Sequence, residues 1–511
     1  MRLKWLTVGL AVVFSTWGIY TFIFWGRPVP FQVQTLERTD SNGDGAIDTW
    51  LLDLSQDGQA DVVERDTDGD GRIDRLQTSH PVPEVIDVSG VGETQSARRK
   101  LAVCLDGVPY EDMAALWDQG YFREFARPGK LISSFPSLSD VALTELLHTG
   151  KVPGYENLYF DIQRNQIAGG ATSTVSKVRM PYLDALDYDE PGIFKGLAYL
   201  IPIRIYHADL GRFRKRYAGS QLPAYVAHIC STDSVCHVLS REQFLKLMHE
   251  VDRLLREIYI QQRGQIDFVV FSDHGNSHVQ NQRIDLDTFL AQHGFRVESA
   301  LRSESSVVVP AFGLVGALPV YCQPRQTAKL ARVLASHEAA DFVVYEEGKT
   351  IQICSSRGSA VIEAKNAGEF LKYVTVDGDP FQLKPVMQDM IEKQQLSADG
   401  FASTDAWFEA TATHPYANAV NAVYQGVTNH VTNRANLLVS LHDGYHYGST
   451  FFNRLVTMRS THGNLRRTSM TGFFMRNGPM PATVLPAREL LKNFRGQSAE
   501  EKVGRRETRA D

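Results

Sequence analysis

The chain opens with hydrophobic positions that no charge interrupts. After a basic start at Arg2 and Lys4, Trp5 to Gly26 gives 22 uncharged residues. As a helix this run spans about 33 Å, enough for a bilayer core. It reads as an uncleaved transmembrane anchor over 1–26, with a cleaved signal peptide as the alternative. The closing Phe24-Trp25-Gly26-Arg27-Pro28 is a poor cleavage site. The early bases favour export of all that follows, so the expectation is a membrane-anchored protein, periplasmic in a Gram-negative bacterium. Residues 27–80 carry an acidic repeat, in whose first copy Trp50-Leu51-Leu52 alternates more like a strand than a helix. Residues 81–97 are rich in Pro, Gly and Ser without a period and read as a linker.

From 98 to 480 the pattern becomes that of an α/β domain. Leu101 to Leu105 is a buried strand that ends in Asp106-Gly107. Leu131 to Ser137 leads into a helical run from Asp140 to Leu147. Phe244, Leu247, Met248, Val251, Leu254, Leu255 and Ile258 recur at helical spacing, and Ile266 to Ser272 is a second apolar strand. The pattern predicts a central, mostly parallel sheet flanked by helices. Residues 314–383 read as a small α/β insert: a strand over Leu318–Cys322, a helix over Thr327–His337, and a hairpin from Phe342 to Ile353 that turns at Glu-Gly. Residues 385–425 look helical, and 481–511 is a charged tail.

Composition narrows the class. With 43% hydrophobic and 22% charged residues, the chain is neither disordered nor polytopic. Five cysteines exclude a small disulfide scaffold. In an oxidising compartment Cys230 could pair with Cys236, or Cys322 with Cys354, leaving Cys104 free. A net charge of −6 gives no case for a nucleic-acid-binding module, and its source is local. Residues 37–74 hold twelve acids against three bases.

Those acids fall in phase. Asp40, Asn42, Asp44 and Asp48 open a repeat of 13 residues; Asp53, Asp57 and Asp61 follow, then Asp66, Asp68, Asp70 and Asp74. Oxygen donors at loop positions 1, 3, 5 and 9, with Gly at 6, match the first part of a calcium loop. Position 12 of the first copy is Leu51, not the Glu of a helical EF-hand. The block therefore resembles thrombospondin-type-3 or dockerin-like calcium repeats. The competing reading is a solvated acidic stalk with Asp-Gly turns.

Metal-ligand residue types gather at strand ends. Asp106 follows the first strand, Asp233 and His237 lie four apart, Asp273-His274-Gly275 closes the second strand, and His462-Gly463 comes late. The Gly after His274 suits a tight turn. Open α/β sheets collect chemistry at the carboxyl ends of strands. A hydroxyl-bearing stretch, Ser133-Ser134-Phe135-Pro136-Ser137, precedes the helical run, where a hydroxyl could also be a simple cap. Taken in order, these elements resemble the alkaline phosphatase superfamily, and within it the type I phosphodiesterase/nucleotide pyrophosphatase branch. The likeness covers roughly 98–480.

That resemblance implies an alkaline-phosphatase-like fold with two divalent metals. Asp106, Ser134, Asp273 and His274 would hold one, and Asp233, His237 and His462 the other. Mixed nitrogen and oxygen donors suit Zn²⁺. Ser134 would be the nucleophile of a phosphoenzyme mechanism, with Ser133 one residue away, and Asn157 would contact a phosphate oxygen. The implied activity is hydrolysis of phosphate esters, as a phosphodiesterase or phosphatase. A phosphoryl-headgroup transferase of the same superfamily is the alternative, as is a calcium-bound binding module with an inactive core. A sulfatase is set aside because Cys322-Gln323-Pro324-Arg325 has its Arg one residue too soon and lies after the Asp-His-Gly element. Arg204, Arg212, Arg214, Lys215 and Arg216 form a basic cluster, read as a solvated face or as a contact for a phosphate headgroup.

Overall fold

The computed structural model describes residues 33–79, 83–89, 98–170, 180–311, 313–492 and 494–495. Its centre is a six-stranded sheet, in the order Ala224–Ile229, Arg99–Leu105, Ile266–Phe271, Thr471–Arg476, Gly129–Ile132, Val484–Pro486. Only Thr471–Arg476 runs against the others. The mostly parallel sheet is the one the apolar runs predict. Strands such as Leu101–Leu105 are buried on both faces, so they read as continuous hydrophobic stretches. Helices Tyr110–Asp118 and Ser139–Leu146 follow strands of this sheet, while Pro202–Ala218 precedes its edge strand Ala224–Ile229 and Arg241–Gln261 comes after that strand. The last begins with a capping box, in which Ser240 and Gln243 satisfy each other's backbone amides.

The region expected as a small insert is larger. Strands Ala317–Cys322, Ala340–Glu347, Thr350–Ser355, Gly358–Lys365 and Phe370–Gly378 join four others in a nine-stranded sheet. One of its inner strands, Leu437–Leu441, comes from well outside 314–383 and lies between Ala317–Cys322 and Ala340–Glu347. The hairpin does turn at Gly348, which takes a positive φ of 63°. The tail is structured at its start, since Val484–Pro486 pairs with Gly129–Ile132.

The acidic repeats form a five-stranded antiparallel meander: Gln34–Thr39, Thr49–Asp53, Val62–Arg65, Arg75–Thr78 and Glu84–Asp87. Each period of 13 residues is one acidic loop plus one strand. The fifth strand lies inside the stretch expected as a linker. Trp50, Leu52, Val62 and Leu76 are buried in one cluster with Leu101, Phe244, Val251 and Ile258 of the main domain. This apolar face is not that of a solvated stalk. The contact also buries charge: Arg256 pairs with Glu64 of the meander at 3.4 Å and with Glu124, and all three are almost fully enclosed.

Among the described residues no helix is long and apolar enough to cross a membrane. This corrects the expectation of a membrane-anchored chain. The Trp5–Gly26 run that prompted it lies outside the described residues, as does most of the stretch 81–97 and the end of the tail. All five cysteines are free, so neither pairing considered from the sequence forms. The basic cluster is spent partly on structure, with Arg212 paired to Glu190 and Arg214 to Glu257.

A buried charge stripped of its partners costs about 3–5 kcal/mol, and Arg256 is enclosed between Glu64 of the meander and Glu124 of the main domain. Burial pushes Glu64 up to about 8 despite the pull of Arg256. The folded state then keeps a proton that the unfolded chain releases near 4.5. The stability this group contributes is full below that pH and is lost as pH rises through about 8. Glu64→Gln should flatten that part of the pH dependence, read from urea midpoints between pH 4.5 and 8.5. An unchanged slope would contradict the assignment.

Candidate metal centre and active site

Three adjacent parallel strands deliver the site. In register, Cys104 faces His228 on one side and Phe271 on the other. Two residues further along, the chain therefore brings Asp106 beside Asp273. Helix Ser231–Val238 begins two residues after Ile229, and its first and last turns carry Asp233 and His237 on one face. The loop holding His462 arrives from the far end of the chain and bridges Ser137 through Gly463.

The side chains converge as two groups. Asp106, Asp273 and His274 offer donor atoms within 4.8 Å of one another, and so do Asp233, His274 and His462. His237 joins the second group, its Nε2 3.1 Å from Asp233 Oδ1. The imidazoles of His274 and His462 stack at 3.9 Å, placing the two groups side by side. All six residues are buried.

Each histidine is aimed by a backbone carbonyl. His237 Nδ1 donates to Ser460 O at 2.7 Å, His462 Nδ1 to Ser137 O at 2.7 Å, and His274 Nδ1 to Gly275 O at 3.0 Å. Every Nε2 lone pair is then turned toward the carboxylates, the arrangement that metal-ligating histidines adopt. Asp273 Oδ2, fully buried, has no hydrogen-bond partner. Three carboxylates and three oriented imidazoles fit divalent cations with mixed nitrogen and oxygen donors, Zn²⁺ among them.

The electrostatics of the cluster point the same way. Burial and the neighbouring Asp106 push Asp273 up to about 6. Burial and His274 push His462 down to about 3. Asp233 resists burial and lies well below the usual carboxylate range because His237 and His462 face it. Carboxylates enclosed this closely repel one another.

The hydroxyl at the first group is not the expected one. Ser139 Oγ lies 3.1 Å from Asp106 Oδ1 and 3.2 Å from His274 Nε2. Ser139 opens helix Ser139–Leu146. Ser134 is buried with its hydroxyl unpaired, and Ser133 likewise. Asn157 is half-buried at the edge of strand Leu158–Asp161, its carbonyl accepting from Gly170 N–H; nothing in the described contacts ties its side chain to the cluster. The sequence did hold one cue to Ser139: it is the last hydroxyl before the helical run.

The contacts of Asn276 and Tyr199 escaped the sequence reading. Asn276 donates to Asp233 Oδ1 at 3.2 Å and to Gly107 O at 3.1 Å, and accepts from Ser460 Oγ at 2.9 Å. Tyr199 OH donates to Asp233 Oδ2 at 3.0 Å. Gly275 takes no positive φ and serves close packing instead of a tight turn. A Cβ there would meet Thr468 O at 2.3 Å. Asp443 accepts from Asn464 at 2.8 Å and Thr468 at 3.0 Å, while His442 faces Arg466, so that loop braces the His462 segment.

The acidic loops repeat one geometry. Asp40, Asp53 and Asp66 each accept the amide of a glycine five residues on, Gly45, Gly58 and Gly71, at 2.8, 2.8 and 2.7 Å. At the ninth position, Asp48 accepts from Ser41 N, Asp61 from Ser55 N and Asp74 from Thr67 N. Asp66, Asp68 and Asp70 bring carboxylate oxygens within 4.8 Å of one another. Asn42 and Asp44 contact each other at 3.1 Å, and Asp57 accepts from Gln59 N at 2.8 Å.

No protein-family model and no curated protein matches the chain. Among solved structures, the chain is similar to phosphonoacetate hydrolase from Sinorhizobium meliloti 1021, at 13% identity, over 78% of this chain and 94% of that one, with a TM-score of 0.41. It is also similar to murine ectonucleotide pyrophosphatase/phosphodiesterase 5, at 11% identity over 77% and 94%, TM-score 0.41. The human form gives 11% over 77% and 92%, TM-score 0.41. At this degree of likeness, any assignment of chemistry rests on the site itself.

Gly107 offers a direct check of the geometry. Its φ is +68°, and a Cβ would sit 2.5 Å from Asp233 Oδ1. Gly107→Ala should displace Asp233 and lower the amount of added divalent metal that the chain retains in elemental analysis. Full metal content in the variant would show that Asp233 is not a ligand.

Proposed function

We propose that the chain is a two-metal hydrolase of phosphate esters, of the alkaline phosphatase superfamily type, with Ser139 as its nucleophile. The observation that carries this is the placement of Ser139 Oγ against Asp106 and His274, beside the second group of Asp233, His237 and His462. The resemblance read from the sequence assigned this role to Ser134. The hydroxyl that meets the ligand-type residues is five positions later, so Ser139 replaces Ser134 in the proposal. Asn157 lies beyond helix Ser139–Leu146, just ahead of strand Leu158–Asp161, and takes no part in the proposal.

Zn²⁺ at the two groups, when bound, supplies Lewis-acid charge against the phosphoryl oxygens. The chain's own residues set the rest. Asp106, Asp273 and His274 fix the position from which Ser139 acts. Ser139 Oγ releases its proton to solvent and forms a bond to phosphorus, while the ester oxygen of the leaving group departs with the bonding pair and takes up a proton from water. Water then cleaves the phosphoserine and restores the hydroxyl. Whether the ester is a diester or monoester is a matter for assay with bis-p-nitrophenyl phosphate and p-nitrophenyl phosphate. The acidic loops we assign to Ca²⁺, supported by their shared geometry and by the buried, unpaired Asp74 Oδ1.

Ser139→Ala should lower turnover of the preferred ester by about a thousandfold or more while most bound metal is retained, because the aspartate and histidine donors persist. Ser134→Ala should keep near-normal turnover if it folds. An active Ser139→Ala enzyme beside a dead, folded Ser134→Ala enzyme would return the role to Ser134. For the loops, Ca²⁺ should raise the melting temperature of the wild type, and Asp66→Asn with Asp68→Asn should reduce the calorimetric Ca²⁺ stoichiometry. No heat of binding at millimolar Ca²⁺ would end that assignment.

A further inference from the structure

The two oxygens of Asp106 have different neighbours. Oδ1 is the nearer to Ser139 Oγ, at 3.1 Å, and lies 3.4 Å from His274 Nε2. Oδ2 accepts from His228 Nε2 at 3.0 Å. His228 is 2% exposed, on the edge strand that pairs with Arg99–Leu105. Its other nitrogen, Nδ1, donates to Asp189 Oδ1 at 2.8 Å, and Lys195 Nζ reaches the same oxygen at 2.9 Å. A line of four hydrogen-bonded side chains therefore runs inward from Lys195 through Asp189 and His228 to Asp106. With a carboxylate oxygen at each ring nitrogen, the imidazole has no freedom to flip or rotate without losing a bond.

The line ends on the segment that also touches the second metal group. Lys195 is on helix Gly192–Ala198, and the next residue, Tyr199, donates to Asp233. None of these outer residues belongs to the motifs by which the sequence announces its metal ligands.

We propose that His228 is a positioning residue: it occupies Oδ2 of Asp106, so that Oδ1 is the oxygen presented to the metal beside Asp273 and His274. Asp189 and Lys195 act one step further out by fixing the ring. This rests on the metal centre proposed above. Without His228, Asp106 is free to rotate about its side chain and both of its oxygens compete for the same cation. Outer partners of this kind typically tune metal affinity by about 10–100-fold.

The side-chain amides allow a test that volume alone cannot mimic. In His228→Gln the amide nitrogen reaches the former Nε2 position and can still donate to Asp106. In His228→Asn it reaches only the Nδ1 position and can donate to Asp189 but not to Asp106. The measurement is Zn²⁺ affinity of the purified chain by chelator competition, with kcat and KM for bis-p-nitrophenyl phosphate recorded alongside. His228→Asn and His228→Ala should lose about 10–100-fold in affinity, and His228→Gln markedly less. Equal affinity in wild type and all three variants overturns the proposal, as does an equal loss in Gln and Asn. Circular dichroism and melting curves identify a variant that fails to fold. In that event Asp189→Asn, one step from the metal, carries the test: a reduced Zn²⁺ affinity supports the line, and an unchanged one overturns it. A wild type that binds no Zn²⁺ refutes the metal centre itself, which separates that failure from this one.

Discussion

Three buried carboxylates and three buried imidazoles meet at the carboxyl edge of one sheet, and most of the molecule is arranged to hold them there. Asp106, Asp233 and Asp273 could not be packed so closely in an apolar interior without opposing charge. The register of three parallel strands puts two of them side by side, and a helix placed at the end of the outer strand adds the third. The histidines are held from behind by main-chain carbonyls, which leaves one nitrogen of each facing inward. Small features protect this packing. Gly107 leaves room for Asp233, Gly275 lets the Asp-His-Gly turn lie against residues 468–471, and Asn276 ties Asp233 to the segment that brings in His462.

The N-terminal meander belongs to the same body. Its apolar face shares a core with helix Arg241–Gln261, and Arg256 on that helix is enclosed by acids from both sides of the contact. The third acidic loop also touches the main domain directly: Arg123 donates to Gly71 O at 2.7 Å, and Arg72 to Asn477 O at 3.1 Å. The acidic faces of the loops look outward while the strands between them look in. One 13-residue period thus serves both a polar and an apolar surface.

Most of this was legible wherever local spacing carries the information. Asp233 and His237 are four apart, and four residues make one helical turn. Asp273-His274 ends an apolar run, and such a run ends at the sheet edge. The acidic period was visible because the same residue types recur in phase. What the sequence hid depends on partners far along the chain. Glu84–Asp87 is too short and polar to announce itself, and is a strand only because Arg75–Thr78 offers it an edge. Leu437–Leu441 enters the second sheet between strands that precede it by about a hundred residues, so the insert looked smaller than it is. Ser134 fitted a pattern of hydroxyl before proline, whereas the distance that matters is set by where the helix begins, and that selects Ser139. Asn276, Tyr199 and His228 stand outside any spacing rule, because their partners are brought to them by the fold.

The most direct measurement of the central claim is the position of bound metal. Anomalous diffraction from crystals grown with Zn²⁺ should show two peaks about 3.5–4 Å apart. One should lie among Asp106, Asp273, His274 and Ser139, and the other among Asp233, His237 and His462. The absence of both peaks at this cluster, or Zn²⁺ bound only elsewhere on the chain, would contradict the account.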